Sequence, residues 1–204
     1  MACIPNKENP AAENMDFPEP SNREEPINGW RINPNESQIQ DDSIKSISAC
    51  ASSTTLRGSV KAEAEKFHAM GYEARKKGDY KTAITMYTKA IASCEGFFKA
   101  YFNRGFALDK IGEFEKAIAD YAKALEIEPK NAYVYYNRGV SLDKLQRYDE
   151  AIYNFSMAIT LEPTKADFYH NRGFAFRKKL EYEKAIQDYG KAITLNPNHF
   201  KVFV

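Results

Sequence analysis

Three asparagines, Asn103, Asn137 and Asn171, recur at an interval of 34 residues in a chain of 204. Each is followed by arginine and glycine, in "YFNRGFALDK", "YYNRGVSLDK" and "YHNRGFAFRK". A carboxamide carries donors and an acceptor, so a regular row of them can hold the N–H and C=O groups of an extended peptide whatever its side chains. Rings and cations run beside the row. Phe102, Tyr136 and His170 precede the asparagines, Phe106, Val140 and Phe174 follow three residues later, and Lys110, Lys144 and Lys178 lie further along. The chemistry of this set is recognition: amides for a backbone, aromatics for its side chains. A solvated helix face is the competing account of the asparagines, and solvated surface is the favoured reading of the lysines.

Nothing comparable points to catalysis. The chain has no phosphate loop, no G-x-S-x-G, no H-E-x-x-H and no C-x-x-C. Carboxylates are plentiful, but no nucleophile, base and orienting group assemble from the pattern. Neither an enzyme nor a cofactor is expected. His68 and His170 are too far apart in the repeat pattern to share a metal, and Cys3, Cys50 and Cys94 have neither zinc spacing nor the pairing of a disulfide framework.

The elements that position the row are themselves periodic. Cutting the chain at 64, 98, 132 and 166 aligns four lines without a gap. Gly71, Gly105, Gly139 and Gly173 fall together; so do Ala83, Ala117, Ala151 and Ala185, and Ala90, Ala124, Ala158 and Ala192. Aromatic residues Tyr87, Tyr121, Phe155 and Tyr189 share another column, and Pro129, Pro163 and Pro197 close three of the lines. Steps of three and four predict two helices per line. Small residues let them approach closely, and the prolines stop the second helix. Gly78 and Gly112 suit a left-handed turn between the helices, whereas Gln146 and Leu180 in that column predict less ideal turns.

This pattern resembles the tetratricopeptide repeat over residues 64–199. The resemblance implies an all-α, right-handed superhelical solenoid of four antiparallel helix pairs, with the first helices lining a concave groove. Its repeats are 64–97, 98–131, 132–165 and 166–199, inside a domain spanning 58–199. The asparagine row is similar to the ladder in the repeat domain of O-linked N-acetylglucosamine transferases, although nothing here matches a glycosyltransferase domain. The carboxylate clamp of chaperone-binding repeats is not matched. His68 and Tyr72, or Phe102 and Phe106, replace its lysine and asparagine, and Tyr133 and Asn137, or Asp167 and Asn171, replace its lysine and arginine.

Arg104, Arg138 and Arg172 each precede by sixteen residues Asp120, Asn154 and Asp188. A side-chain bond between paired helices is expected there, replaced in the first repeat by packing of Met70 on Met86.

Residues 1–57 differ from the rest. They hold six of the nine prolines, only Phe17 and Trp30 as aromatics, and five basic against nine acidic residues, a net −4. The remainder has 24 basic and 19 acidic residues, a net +5, interspersed and unlike a nucleic-acid footprint. Such a tail buries too little to offset its ordering entropy and is expected to be disordered. Trp30 in "EEPINGWRINP" suggests a short motif that docks in the groove and competes with partners. The serine- and threonine-rich "SIKSISACASSTT" suits phosphorylation or a plain linker. Without a signal sequence or an apolar span, a cytoplasmic protein with no membrane association is expected.

"HFKVFV" begins the repeat again, Phe200 aligning with Phe98 and Phe203 with Tyr101, so that 200–204 read as the start of a truncated fifth repeat. No polar capping helix follows. The last helix is therefore expected to expose tyrosine and alanine positions, in a fragment or isoform, or on a face that meets a partner or second copy. The leading function is an adaptor, scaffold or co-chaperone binding an extended peptide or partner helix in the groove. Assembly through the C-terminal repeat and a regulatory segment of a larger enzyme are the alternatives.

Overall fold

The computed structural model describes residues 54–197, with side chains from residue 60. The acidic tail, Trp30 and the 200–204 segment lie outside the described residues. Within them are eight helices and no strand: α1 (Thr54–Lys76), α2 (Tyr80–Ser93), α3 (Phe98–Lys110), α4 (Phe114–Ile127), α5 (Ala132–Lys144), α6 (Tyr148–Leu161), α7 (Ala166–Lys178) and α8 (Tyr182–Leu195). Odd and even helices form antiparallel pairs, stacked into a right-handed solenoid.

Each turn within a pair closes by the same two hydrogen bonds. In the first, the Asp79 N–H reaches the Ala74 carbonyl at 3.0 Å and the Gly78 N–H reaches Arg75 at 2.9 Å. This double bond requires a left-handed residue between helix and cap. Gly78 and Gly112 supply it at φ 78° and 84°. Gln146 and Leu180 adopt the same region at φ 59° and 63°, and the bonds survive: Arg147 N–H to Leu142 at 2.9 Å, Glu181 N–H to Phe176 at 3.0 Å. The less ideal turns are therefore intact in hydrogen bonding and strained in backbone. Between pairs, Glu128, Glu162 and Asn196 leave the helical region just before their prolines, as the proline ring demands.

The alanine columns form the seam of each pair. Ala83, Ala117 and Ala151 are 0% exposed, as are Ala90, Ala124, Ala158 and Ala192. Ala185 and Ala192 on α8 are buried at 3% and 0%, a correction to the expected exposure of alanines on the last helix, where Tyr182 and the isoleucines take the exposure. The glycine column has a specific reason. A Cβ on Gly139 would sit 2.7 Å from Cε1 of Phe155, and one on Gly71 2.7 Å from Cε1 of Tyr87. The aromatic column thus lies flat on the glycine column of the same repeat. A second layer joins repeats: Ala100, Val134 and Phe168, and Ala107, Ser141 and Ala175, are all buried where an odd helix meets the preceding pair. On α1 the corresponding residues are Lys66 and Glu73, both exposed, so the N-terminal end of the stack is polar.

Odd helices also contact the next odd helix, α1 with α3, α3 with α5 and α5 with α7. Even helices meet their successors less, which places the odd helices on the inner, concave side. Cys94 is disulfide-bonded, a correction to the expectation of unpaired cysteines; Cys3 and Cys50 both lie outside the described residues.

Candidate recognition groove

The asparagine amides are anchored to their own helices. Nδ2 of Asn103 donates to the Lys99 carbonyl at 2.9 Å, Nδ2 of Asn137 to Tyr133 at 2.7 Å, and Nδ2 of Asn171 to Asp167 at 2.8 Å. Only the NH2 end of an amide can donate to a carbonyl, so the orientation of each side chain is settled. Two of them also reach back to the preceding repeat. Asn103 Nδ2 lies 2.9 Å from Nε2 of His68, and Asn171 Nδ2 donates to Oη of Tyr136 at 3.0 Å. Phe102 stands where Asn137 would find such a partner, and it offers none.

The amide's role makes His68 Nε2 an acceptor, so the ring is neutral with its proton on Nδ1. Burial between Tyr87 and Phe97, at ring separations of 5.5 and 5.3 Å, and then the charges of Lys99 and Arg75, push the His68 pKa down to about 4. Tyr136 is 7% exposed, packs 4.8 Å from the ring of Phe168, and has its hydroxyl pKa raised by burial. Phe102 is half-buried, stacked on Phe98 at 6.0 Å. His170 packs on Tyr189 at 5.5 Å.

Phe106 is buried beneath two cations, Arg75 at 5.3 Å and Lys110 at 5.1 Å from its ring centre. Phe174 carries Arg177 at 5.0 Å and Lys178 at 5.3 Å. Lys144 has Val140 in place of a ring. All three lysines are exposed, and in the second and fourth repeats their ammonium groups are held over rings.

Two carboxylates in the groove floor escaped sequence reasoning as interacting groups. Asp109 accepts from Oγ of Ser141 at 2.5 Å, tying α3 to α5. Its pKa is raised by burial, against the Ser141 bond and the charges of Lys110 and Lys144. In the next repeat Asp143 and Ala175 hold the positions of Asp109 and Ser141, and alanine has no hydroxyl to donate; Oδ1 of Asp143 is buried without a hydrogen bond, and burial likewise raises its pKa. The available signal was a lone serine in an alanine column, one repeat after an aspartate.

Behind the groove, the arginine column behaves in two ways. Arg104 makes a two-pronged bond to Asp120, both arms 2.7 Å, and its third nitrogen donates to Oγ1 of Thr88 on α2 at 3.0 Å. Arg172 repeats this with Asp188 at 2.8 Å and with Oγ of Ser156 on α6 at 3.0 Å. In the third repeat the expected bond is missing. Asn154 donates to the Glu150 carbonyl instead, and Arg138 Nε and Asn154 Oδ1 are buried without partners. An amide presents only one oxygen to a guanidinium, and Ala122 stands where Thr88 and Ser156 supply hydroxyls. Met70 is 47% exposed, so the expected thioether packing in the first repeat is not a buried contact.

Among the described residues, no group of His, Cys, Asp and Glu could hold a metal, and no helix is long and apolar enough to cross a membrane.

Helix pairs stacked at a fixed period, with a concave face carrying one set of side chains per repeat, define a helical-repeat recognition protein. Family models described as tetratricopeptide repeat match residues 98–131, 132–165 and 166–199, and a second model of that description matches 65–95. The chain belongs to the tetratricopeptide repeat family, whose fold serves protein interaction.

Solved structures agree. The chain is similar to MamA residues 41 to the end from Desulfovibrio magneticus RS-1, with TM-score 0.64 and 24% identity over 67% of this chain and 77% of that one. It is similar to YrrB, described as a TPR protein with an unusual peptide-binding site, with TM-score 0.62 and 26% identity over 67% of this chain and 70% of that one. The Arabidopsis OM64 TPR domain matches with TM-score 0.57 and 29% identity, over 58% of this chain and 98% of that domain. No curated protein matches the sequence.

Proposed function

We propose that the concave groove binds an extended peptide segment of a partner protein, in an adaptor, scaffold or co-chaperone role. The asparagine row carries this reading. Each amide is pinned through its nitrogen, and the oxygens of Asn103, Asn137 and Asn171 make no hydrogen bond among the described residues. The result is a row of oriented acceptors for peptide N–H groups. At Asn103 and Asn171 both amide hydrogens are already engaged, so those two accept only. Asn137 keeps one hydrogen and can hold an N–H and a C=O together. A peptide-binding site described for YrrB is consistent with this use of the fold. Phe102 and His170 would meet side chains of the peptide, with Tyr136, Phe106 and Phe174 beneath them. Lys110, Lys144 and Lys178 would favour acidic flanks.

The test is a peptide selected by display on the intact chain, measured against the triple change Asn103→Ala, Asn137→Ala and Asn171→Ala. The affinity should fall at least tenfold, since lost hydrogen bonds of this kind cost about 1 kcal/mol each; the melting temperature falls too, because the bonds to His68 and Tyr136 go with the amides, so binding is compared at a temperature where circular dichroism shows both chains fully helical. N-methylation of the contacting peptide amides should mimic the loss. Undiminished binding by the triple variant would sink the proposal.

A further inference from the structure

The last turns of the odd helices carry Arg75, Asp109, Asp143 and Arg177 in one column, and lysine follows each: Lys76, Lys110, Lys144 and Lys178. Each pair of neighbours sums to +2 in the first and fourth repeats and to zero in the second and third. Helix stability does not account for this pattern. Cations suit the C-terminal end of a helix, and carboxylates there oppose its dipole. α3 and α5 therefore carry their aspartates against the helix preference.

The two ends of the groove match each other more closely than either matches its neighbour. His68 packs on Tyr87 and His170 on Tyr189, both at 5.5 Å between ring centres. Arg75 lies 4.9 Å from the ring centre of Tyr72, and Arg177 5.0 Å from that of Phe174. The middle repeats have Phe102 and Tyr136 in the histidine column and aspartate in the arginine column. Neither end arginine is neutralised from within. Among the described residues no carboxylate pairs with Arg75 or Arg177, whereas Arg104, Arg147 and Arg172 each hold one. Glu73 takes Lys76, at 3.5 Å, and leaves Arg75 as the anchor of its end. Asp167, the acid of α7, stands ten residues from Arg177, about 15 Å along the helix. A guanidinium stacked on a ring keeps its edge donors for a carboxylate.

We propose that the groove selects a peptide with two separated acidic side chains, one held by Arg75 and the other by Arg177 with Lys178, and with no acid between them. This rests on the peptide-binding reading of the groove and adds the charge pattern of its ligand. Asp109 and Asp143 supply the exclusion, because like charges brought together across an interface are penalised. The spacing follows from the stack. α1, α3, α5 and α7 contact one another in series, and packed helices lie about 8–10 Å apart, so three steps span about 24–30 Å. At about 3.3 Å per extended residue, the two acids stand about seven to nine residues apart.

The test is a display selection on the full chain, with random peptides of about 12 residues, long enough to cover that span. Aspartate and glutamate should be enriched at two positions with the stated separation and depleted between them. Changing either acid of a selected peptide to glutamine should weaken binding about fivefold, the upper end for a partly exposed ion pair. Arg177→Gln with Lys178→Gln, both at exposed positions, should remove the penalty at one acid and leave it at the other, which a double-mutant cycle reads directly. Asp143→Asn should admit acids to the middle of the peptide. The triple asparagine variant reports on the groove separately. Peptides that need the asparagines but carry no paired acids, or that bind equally well when acidic throughout, would overturn this proposal and leave the groove reading standing. Peptides indifferent to the asparagines, or a selection without binders, would remove both.

Discussion

The outer junctions of the solenoid and its central junction are built differently. Where the first repeat meets the second, Asn103 reaches His68 in the groove and Arg104 reaches Thr88 behind it. Where the third meets the fourth, Asn171 reaches Tyr136 and Arg172 reaches Ser156. The central junction has neither link. Phe102 offers Asn137 no polar atom, Ala122 offers Arg138 no oxygen, and Asp109 with Ser141 supplies the one side-chain bond between the facing odd helices. The central junction therefore carries fewer side-chain hydrogen bonds than either outer one and relies on apolar packing, Val134 with Leu125 and Phe98 among it, and one carboxylate. In a stack whose stability is a sum of repeat and neighbour terms, the weaker neighbour term is where opening begins.

The largest test of this contrast is the arginine column. Removing Arg104 strands Asp120, whose side chain is 8% exposed, and also frees Thr88. Breaking a buried pair costs about 3–5 kcal/mol. Arg104 keeps 21% exposure, which argues for the lower end, about 3 kcal/mol. Arg138→Ala strands no carboxylate and should cost less than about 1 kcal/mol. Urea denaturation of both variants checks the comparison. Equal losses would mean that the third repeat holds its arginine as tightly without an aspartate as the second does with one.

The first junction should also be sensitive to acid, in a way the central one is not. His68 accepts from Asn103 only when neutral, and its pKa in the fold lies at about 4 against 6.5 for a free histidine. A depressed pKa means that folding excludes a proton. The stabilisation is complete above pH 6.5 and is lost as the pH falls toward 4, up to about 3 kcal/mol. Burial of Asp109 and Asp143 acts in the opposite sense, because a raised carboxyl pKa favours the fold as protons are taken up. The diagnostic quantity is therefore a difference. Wild type minus His68→Phe, followed by chemical denaturation from pH 7 to 4, should show the histidine slope alone, and parallel curves would refute it.

How much of this was legible follows from what kind of residue carries each feature. Glycine, alanine and proline columns have one physical use each, so helix pairs, turns and seams could be read directly. Gly139 is a glycine because Phe155 lies on it, and the alignment of the two columns was already in the sequence. The groove bonds are of another kind. Asn103 and Asn137 are the same residue in the same column, and only the side chain one repeat earlier, His68 or Phe102, separates their roles. The arginine bond was expected in all three later repeats, and Asn154 defeats it because an amide cannot match a carboxylate's two oxygens. Thr88, Ala122 and Ser156 record the same alternation, in a column with no apolar signal to attract attention.

The turns give the smallest effect and the sharpest comparison of first half with second. All four close with the same bonds, yet Gly78 and Gly112 serve the first two and Gln146 and Leu180 the last two. A left-handed L-residue costs about 1–2 kcal/mol relative to its preferred region, and glycine pays no such cost but loses more chain entropy on folding. Leu180 is 68% exposed, so its side chain returns little by burial. Leu180→Gly should therefore raise stability by about 1 kcal/mol, and Gly112→Ala, at a site with nothing within 4 Å to clash, should lower it by a similar amount through φ alone. Thermal unfolding of the two variants decides it. If Leu180→Gly destabilises, the entropy that glycine loses on folding outweighs the left-handed strain of leucine at this turn.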